Sequence, residues 1–281
     1  MKYTDTEIIF LKNNYPSHGT KYCSLKLNKS HSSIQGKAHR LGLKLKASVK
    51  SKILEDSHYK PFYKYNVNPN QFIKNFSKES SYVLGLLWAD GGIHNKQIRI
   101  SCIQEDSLVY HPIFQKTGKW NLYLSKSKNP KWRDQGCIYT HNRPLYNFLN
   151  DNTYSPHNIE SADRIIEKIP KHLQKYWFRG LIDGDGCWYI NKNHYNYQFS
   201  LAGPYEQDWS FFQKLLEYLG IRYSIQRRVV KKNNNRSSCI RITYKAGVIA
   251  LGNYVYDTYA GDNIGLERKY LKFSEIKDFV S

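Results

Sequence analysis

Acidic residues are scarce in this 281-residue chain, which carries 23 Asp and Glu against 43 Lys and Arg, a formal net charge of +20 and a pI near 9.6. Such an excess repels itself in a compact fold unless something negative neutralises it, and phosphate contacts by Lys and Arg release condensed counterions. Nucleic acid is therefore the first partner to consider, with an anionic membrane surface as its rival. Long apolar runs are lacking too: nothing approaches the roughly 18 residues a membrane span requires. The opening MKYTDTEIIF reads as the start of a folded domain rather than as a secretory signal. The five cysteines (Cys23, Cys102, Cys137, Cys187 and Cys239) are odd in number and scattered, with no CxxC pair or Cys/His cluster. That pattern argues against a zinc framework or a disulfide scaffold and fits reduced thiols in a cytoplasmic or organellar-matrix setting, not a secreted one. Hydrophobic residues make up 40%, enough for a sizeable core.

Residues 1–46 read as three short helices. Thr4 and Glu7 have capping-box spacing ahead of Ile8, Ile9 and Leu11. Pro16 and Gly19 interrupt the chain before a short helix at about Thr20 to Leu27. Ser30 caps HSSIQGKAHRLGL, where Ile34, Ala38 and Leu41 form a core stripe and Gly42 supplies the stop. Its opposite face, with Ser32, Ser33, His39 and Arg40, is small and polar with basic ends, which suits a helix in a DNA major groove. Residues 47–77 form a polar link that is unusually aromatic for a free tether (Phe62, Tyr63, Tyr65, Phe72, Phe76), so it is expected to pack on protein or DNA.

From about Ser80 the chain repeats itself. YVLGLLWADGG (Tyr82 to Gly92) returns as WFRGLIDGDGC (Trp177 to Cys187), 95 positions on. PIFQKTG is echoed by SFFQKLL, QGCIYTH by SSCIRITY, and LYNFLNDNTY by LGNYVYDTY. Two copies, 78–170 and 171–281, are too few for a solenoid and point to a pseudo-symmetric pair. Each copy reads as an apolar helix, a strand pair, a helix with FQK, a second strand pair and a helix, an α+β αββαββα unit. The strands alternate: Ile98, Ile100 and Cys102 oppose Gln97, Arg99 and Ser101, and Ile240, Ile242 and Tyr244 oppose Arg241, Thr243 and Lys245. Their polar faces nearly lack carboxylates, which favours phosphates and base edges. Gln97, Arg99, Ser101, Arg227, Arg228, Arg241 and Thr243 are the expected DNA-reading side chains. The loop Lys231 to Ser238 is expected to reach backbone phosphates.

Read as helices, the repeated motifs stack Gly85 with Ala89 and Gly180 with Gly184, four apart on one face. Small residues so spaced let two helix backbones approach closely. Asp90 and Asp185 then meet at the C-terminal ends, where partial negative charge and each other's charge both oppose ionisation. A hard divalent cation removes that conflict. Magnesium suits best, with Mn2+ or Ca2+ able to substitute for binding, and such a cation can serve phosphodiester hydrolysis.

Two resemblances attach to these residues. The first 45 or so, through the YP…G break and Ser-x-x-Ile-x-x-Lys-Ala-x-Arg-Leu-Gly-Leu, resemble Myb/SANT-like helix-turn-helix domains. VLGLLWADG and FRGLIDGDG resemble the single-chain, two-motif LAGLIDADG homing endonucleases over about the last 200 residues. That resemblance implies paired motif helices at a central interface and antiparallel sheets forming a saddle on duplex DNA. It implies metal held by Asp90 and Asp185 with the carbonyls of Ala89 and Gly184, and double-strand cleavage leaving short 3′ overhangs at a long asymmetric site. It also implies a basic residue near each second strand pair: Lys245 in the second copy, His141 or Arg143 in the first. The chain departs from the pattern at the sixth motif position, Asp183 in one copy and Trp88 in the other. Two copies in one chain imply a monomer. The alternatives are an intron RNA maturase or a non-cleaving transcription regulator on the same scaffold; retention of both acids favours the nuclease, and the helix-turn-helix favours duplex DNA.

Overall fold

The computed structural model describes residues 3–49, 68–94, 97–154, 159–194, 196–230 and 235–280. The chain divides into two compact units, Met1–Tyr65 and Asn66–Ser281.

In the first unit, α1 (Asp5–Leu27) starts with the capping box: the Thr4 side chain accepts from the Glu7 amide, and Glu7 answers to the Thr4 amide. Pro16 lies within this helix and does not end it. Gly19 does break it, through φ 74° and ψ −175°, so its two segments serve as the first two helices expected. The helix α2 (His31–Arg40) is capped by Ser30. Leu11, Tyr15, Cys23, Ile34 and Ala38 bury a small core. Leu41 is only half-buried at the C-cap, so the apolar stripe ends at Ala38. Gly42 takes the left-handed conformation that closes the helix.

The second unit begins earlier than the expected repeat boundary. A turn of helix, α3 (Asn70–Ile73), seats Phe72 wholly inside the main core, and Phe76 packs against the same core. Part of the aromatic link is thus core material; Phe62, Tyr63 and Tyr65 lie outside the described residues.

Each copy has the expected αββαββα order. The first runs α4 (Lys78–Asp90), β1 (Gly91–His94), β2 (Gln97–Ile103), α5 (Gln104–Gln115), β3 (Asn121–Ser125), β4 (Gln135–Thr140) and α6 (Arg143–Asp151). A turn of helix, α7 (Asp163–Ile166), leads to the second: α8 (Lys171–Asp185), β5 (Gly186–Asn191), β6 (Asn196–Gly203), α9 (Ser210–Tyr218), β7 (Ser224–Val230), β8 (Asn235–Ile242) and α10 (Lys245–Tyr256). Then follow α11 (Tyr259–Asp262) and a long helix, α12 (Glu267–Val280). The antiparallel sheets have identical order, β1-β2-β4-β3 and β5-β6-β8-β7.

Register fixes which residues correspond. Gly91 lies opposite Ile100, and Ile100 opposite Ile138; Gly186 lies opposite Leu201, and Leu201 opposite Ile240. All four strand residues have buried side chains, as the alternation predicts. Counting onward from Ile138 and Ile240, the helices α6 and α10 open at the same step, with Arg143 and Lys245. The echo of LYNFLNDNTY in LGNYVYDTY is therefore one helical turn out of register: Leu149, buried, corresponds to Leu251, also buried. β1 and β5 supply the first strand of each expected pair, and they begin at Gly91 and Gly186, the residues that read as helix stops. Both glycines do end the helices, yet in extended backbone (φ −75° and −78°) that runs directly into a strand.

Candidate metal centre and nucleic-acid interface

The helices α4 and α8 pack backbone to backbone. A Cβ on Gly85 would overlap the Trp177 carbonyl, with that carbonyl carbon at 2.7 Å; one on Gly180 would overlap the Tyr82 carbonyl, with the Leu86 nitrogen at 2.7 Å. Nearer the helix ends, a Cβ on Gly184 would overlap that of Ala89 and lie 3.0 Å from Asp90 Oδ2. The expected small-residue face (Gly85, Ala89, Gly180, Gly184) is the contact, and it brings Asp90 against the end of the partner helix.

Asp90 is solvent-exposed and Asp185 half-buried, although protein atoms crowd both carboxyls, and each shift has a dominant cause. Burial pushes Asp185 up to about 7, the Asp90 charge adds to this, and Lys269 opposes it. Burial also raises Asp90, Lys269 again opposing and Asp106 adding. Two carboxylates at neighbouring helix C-termini, partly shielded from water by the packed helices, have this profile. The donor set fits a hard divalent cation that takes its other ligands from water and phosphate, because the side chains supply two oxygenic acids. Among the described residues no group of three or more His, Cys, Asp or Glu side chains could hold a metal, so a site closed by protein ligands alone is not found there.

Asp183, the other acid of FRGLIDGDG, has a different job. It is 1% exposed and accepts hydrogen bonds from Tyr82 Oη (2.8 Å), Tyr256 Oη (3.0 Å) and the Leu266 amide (2.8 Å). Burial lifts it to about 6 against these bonds. It ties the first motif helix, the last helix of its own copy and the start of α12 together. Trp88 takes the matching place in the first copy and packs against Tyr154, Trp177 and Phe211. Apolar contact there replaces a polar knot, which is why the sixth motif position can differ. Arg179 of the same motif is fully buried: it donates to Asp262 Oδ1, the Val255 and Ile264 carbonyls and Thr258 Oγ1, a structural arginine.

The sign of the pH effect follows from the raised values. A carboxyl whose folded value exceeds its ordinary 3.8 holds its proton more tightly when folded, so its contribution is fully present below about pH 4 and is lost as pH rises through 6 and 7. We therefore expect the metal-free protein in EDTA to lose roughly 2–3 kcal/mol of unfolding free energy between pH 5.5 and 8. Urea melts at the two pH values check this, and Asp185→Asn should flatten most of the slope.

The exposed sheet faces hold most of the expected reading residues. Arg99 and Ser101 are exposed on β2 opposite Tyr139 and Cys137, and Gln97 bonds His141 at 3.2 Å. On the second sheet Arg241 lies between Ser200 and Ser224, and Arg228 pairs with Ser237 on that same face. Thr243, exposed, lies just past the end of β8. Arg227 is different: it pairs with Ser238 on the side of Ile225 and Ile240 and donates to the Tyr205 carbonyl, so neighbours in a strand cannot both read one groove. Of the expected loop, residues 231–234 lie outside the described residues and 235–238 belong to β8. There Ser238 is buried, accepting from Trp209 Nε1 and donating to the Pro204 carbonyl.

Arg143 and Lys245, both exposed, open equivalent helices, which makes Arg143 and not His141 the counterpart of Lys245. The cation whose charge bears on Asp90 and Asp185 is Lys269, from α12. Asp106, buried on α5 and clasped by Arg268, is a further acid whose charge reaches Asp90. Neither residue lies in a repeated motif, so spacing gave no sign of either. In the first unit Ser32, His39 and Arg40 are exposed on α2. Ser33 is half-buried and bonds the Tyr3 hydroxyl, and Arg40 bonds its own helix at the Gly36 carbonyl.

Residues 173–255 match the profile of a LAGLIDADG-like domain. Among solved structures the chain is similar to the homing endonuclease I-WcaI bound to its DNA recognition sequence, at 14% identity over 73% of this chain and 91% of that one, TM-score 0.46. It is also similar to the LAGLIDADG homing endonuclease I-SmaMI bound to cleaved DNA, at 12% identity over 76% and 89%, TM-score 0.44. A third similarity is to full-length DUF199/WhiA from Thermatoga maritima, at 13% identity over 75% and 64%, TM-score 0.44. No curated protein matches the chain.

Proposed function

We propose that this chain is a divalent-metal-dependent, sequence-specific double-stranded DNA endonuclease that hydrolyses one phosphodiester in each strand and leaves short 3′ overhangs. The observation that carries the reading is the backbone contact at Gly85 and Gly180, with Asp90, exposed, and Asp185, half-buried, at the neighbouring ends of the two helices, where the Asp90 charge opposes ionisation of Asp185. The profile match over the second copy supports it, as does the net charge of +20.

Asp90 and Asp185, with the Ala89 and Gly184 carbonyls, would hold Mg2+ (Mn2+ or Ca2+ in its place for binding). The cation supplies a lowered water pKa and a counter-charge to the departing 3′ oxygen. The chain's own part is to dock the duplex. Gln97, Arg99, Ser101, Arg228, Arg241 and Thr243 face the grooves, Arg227 reaches the backbone at the sheet rim, and α2 of the first unit adds contacts through Ser32, Ser33, His39 and Arg40. A single chain with two unlike copies fits a monomer on a long asymmetric site, in a cytoplasmic or organellar compartment.

Incubation with a library of plasmids carrying randomised inserts tests the reading. Discrete linear products with Mg2+ that vanish in EDTA are expected; a protein that shifts duplex DNA without cutting it at any metal concentration would overturn it. Arg143 and Lys245, as equivalents, should each serve one strand by holding its phosphate. Arg143→Ala and Lys245→Ala should therefore each accumulate nicked circles, slowing one strand about tenfold or more, with opposite strands left intact. Sequencing the nick in each variant reads this directly.

A further inference from the structure

Helix α12 follows the αββαββα elements of the second copy, and it sends two cations to the candidate centre. Arg268 forks onto Asp106, at 3.1 Å from Nε and 2.6 Å from Nη2. Lys269, half-buried, donates through Nζ to the Gly186 carbonyl and, at 3.5 Å, to the Ile182 carbonyl. Gly186 is the residue after Asp185, and Ile182 is one turn back, so the ammonium caps the negative end of the second motif helix. The start of α12 is fixed there by the Leu266 amide on Asp183. This is a built position: the lysine is held by carbonyls beside the acids, and its charge acts on Asp90, Asp183 and Asp185 through space. Burial pulls its own pKa down, and the nearby carboxylates pull it up.

We propose that Lys269 is a resident counter-cation of the carboxylate pair: it occupies the pair's field when no metal is bound and, by like-charge repulsion, weakens the affinity of the pair for a divalent cation. The inference rests on the metal-site reading and deepens it. A cation entering between Asp90 and Asp185 meets a fixed positive charge at the helix end, a repulsion that a low local dielectric magnifies. Phosphates of a docked duplex would offset that charge, so metal loading becomes coupled to DNA. Lys269 is a positioning residue here and touches no reacting atom.

Calcium titration of the full chain by calorimetry tests this with Lys269→Gln, which keeps a donor for the Gly186 carbonyl and removes the charge, and Lys269→Arg, which keeps both. Lys269→Gln should bind Ca2+ about tenfold more tightly than the parent, with Lys269→Arg close to the parent. In EDTA Lys269→Gln should melt below the parent, and saturating Ca2+ should close that gap. Equal or weaker Ca2+ binding by Lys269→Gln overturns the proposal while leaving the metal site standing. Absence of Ca2+ binding in the parent overturns the metal site itself and this inference with it. Should Lys269→Gln fail to fold, the side-chain resonance of Lys269 in the parent, assigned by its loss in Lys269→Arg, decides: it should move with the Ca2+ midpoint, and a resonance that stays put refutes the idea.

Discussion

Asp185→Asn abolishes cleavage of both strands, by about a thousandfold or more, while duplex binding persists. Asparagine matches aspartate in shape, so the α4–α8 contact and the sheet faces are kept, and the surface that meets DNA is unaltered. The change is one of charge: the pair loses half of its carboxylate field and its hold on a divalent cation. A second consequence distinguishes this account from simple damage. Asp185 is pushed up to about 7 chiefly by burial and then by Asp90, so the folded protein above that pH holds an ionised group at a cost. Removing it should stabilise the metal-free protein at pH 8 while destroying activity. Plasmid cleavage, fluorescence anisotropy on a labelled duplex and a thermal melt measure the three quantities. An Asp185→Asn variant that cuts at the parent's rate takes Asp185 out of the mechanism. One that is less stable than the parent in EDTA at pH 8 contradicts the electrostatic account of the pair.

Gly85→Ala should have the largest effect on stability of any single methyl group in the second unit. The new Cβ would overlap the Trp177 carbonyl oxygen, 2.7 Å from its carbonyl carbon and 3.0 Å from the Leu181 nitrogen. All of these are backbone atoms, so no rotamer change relieves the clash and the helices must separate. Overpacking against rigid neighbours costs about 3 kcal/mol, or roughly 10 °C in melting temperature for a unit of this size. The same separation would draw Asp90 away from Asp185, so Ca2+ affinity should fall along with stability. Gly36→Ala is the control, since a Cβ there meets nothing within 4 Å on the exposed side of α2. It should gain slightly from helix propensity. A Gly85→Ala protein with the parent's melting temperature would mean that the helices do not meet at this glycine.

Much of this was legible in the sequence for a physical reason: the constraints were local or repeated. The Thr4–Glu7 cap, the Ser30 cap and the alternation of Ile98 and Ile100 with Arg99 and Ser101 are each settled within a few residues. The repeated Gly-x-x-x-small motif showed a helix contact because two backbones can meet closely only where side chains are small. What stayed hidden depends on distant chain segments. Lys269 and Asp106 reach the centre through tertiary packing, at positions outside the repeated motifs. Arg143 could not be told from His141 by sequence, since the choice depends on counting from paired strands, which only register supplies. Arg227 and Arg228 looked alike because adjacent arginines in a run do not reveal which face each takes. Asp183 stood out in the sequence only as a departure between the two motifs, and its role as an acceptor for Tyr82, Tyr256 and the Leu266 amide appears only when all four are in place.

Diffraction from a crystal of the full chain soaked in Mn2+, read at the manganese anomalous peak, is the most direct measurement. The account predicts anomalous density within about 2.5 Å of a carboxylate oxygen of Asp90 and of Asp185, whether from one shared ion or from one at each acid. Manganese bound elsewhere with both carboxylates bare, or the two side chains on separate surfaces, would contradict it.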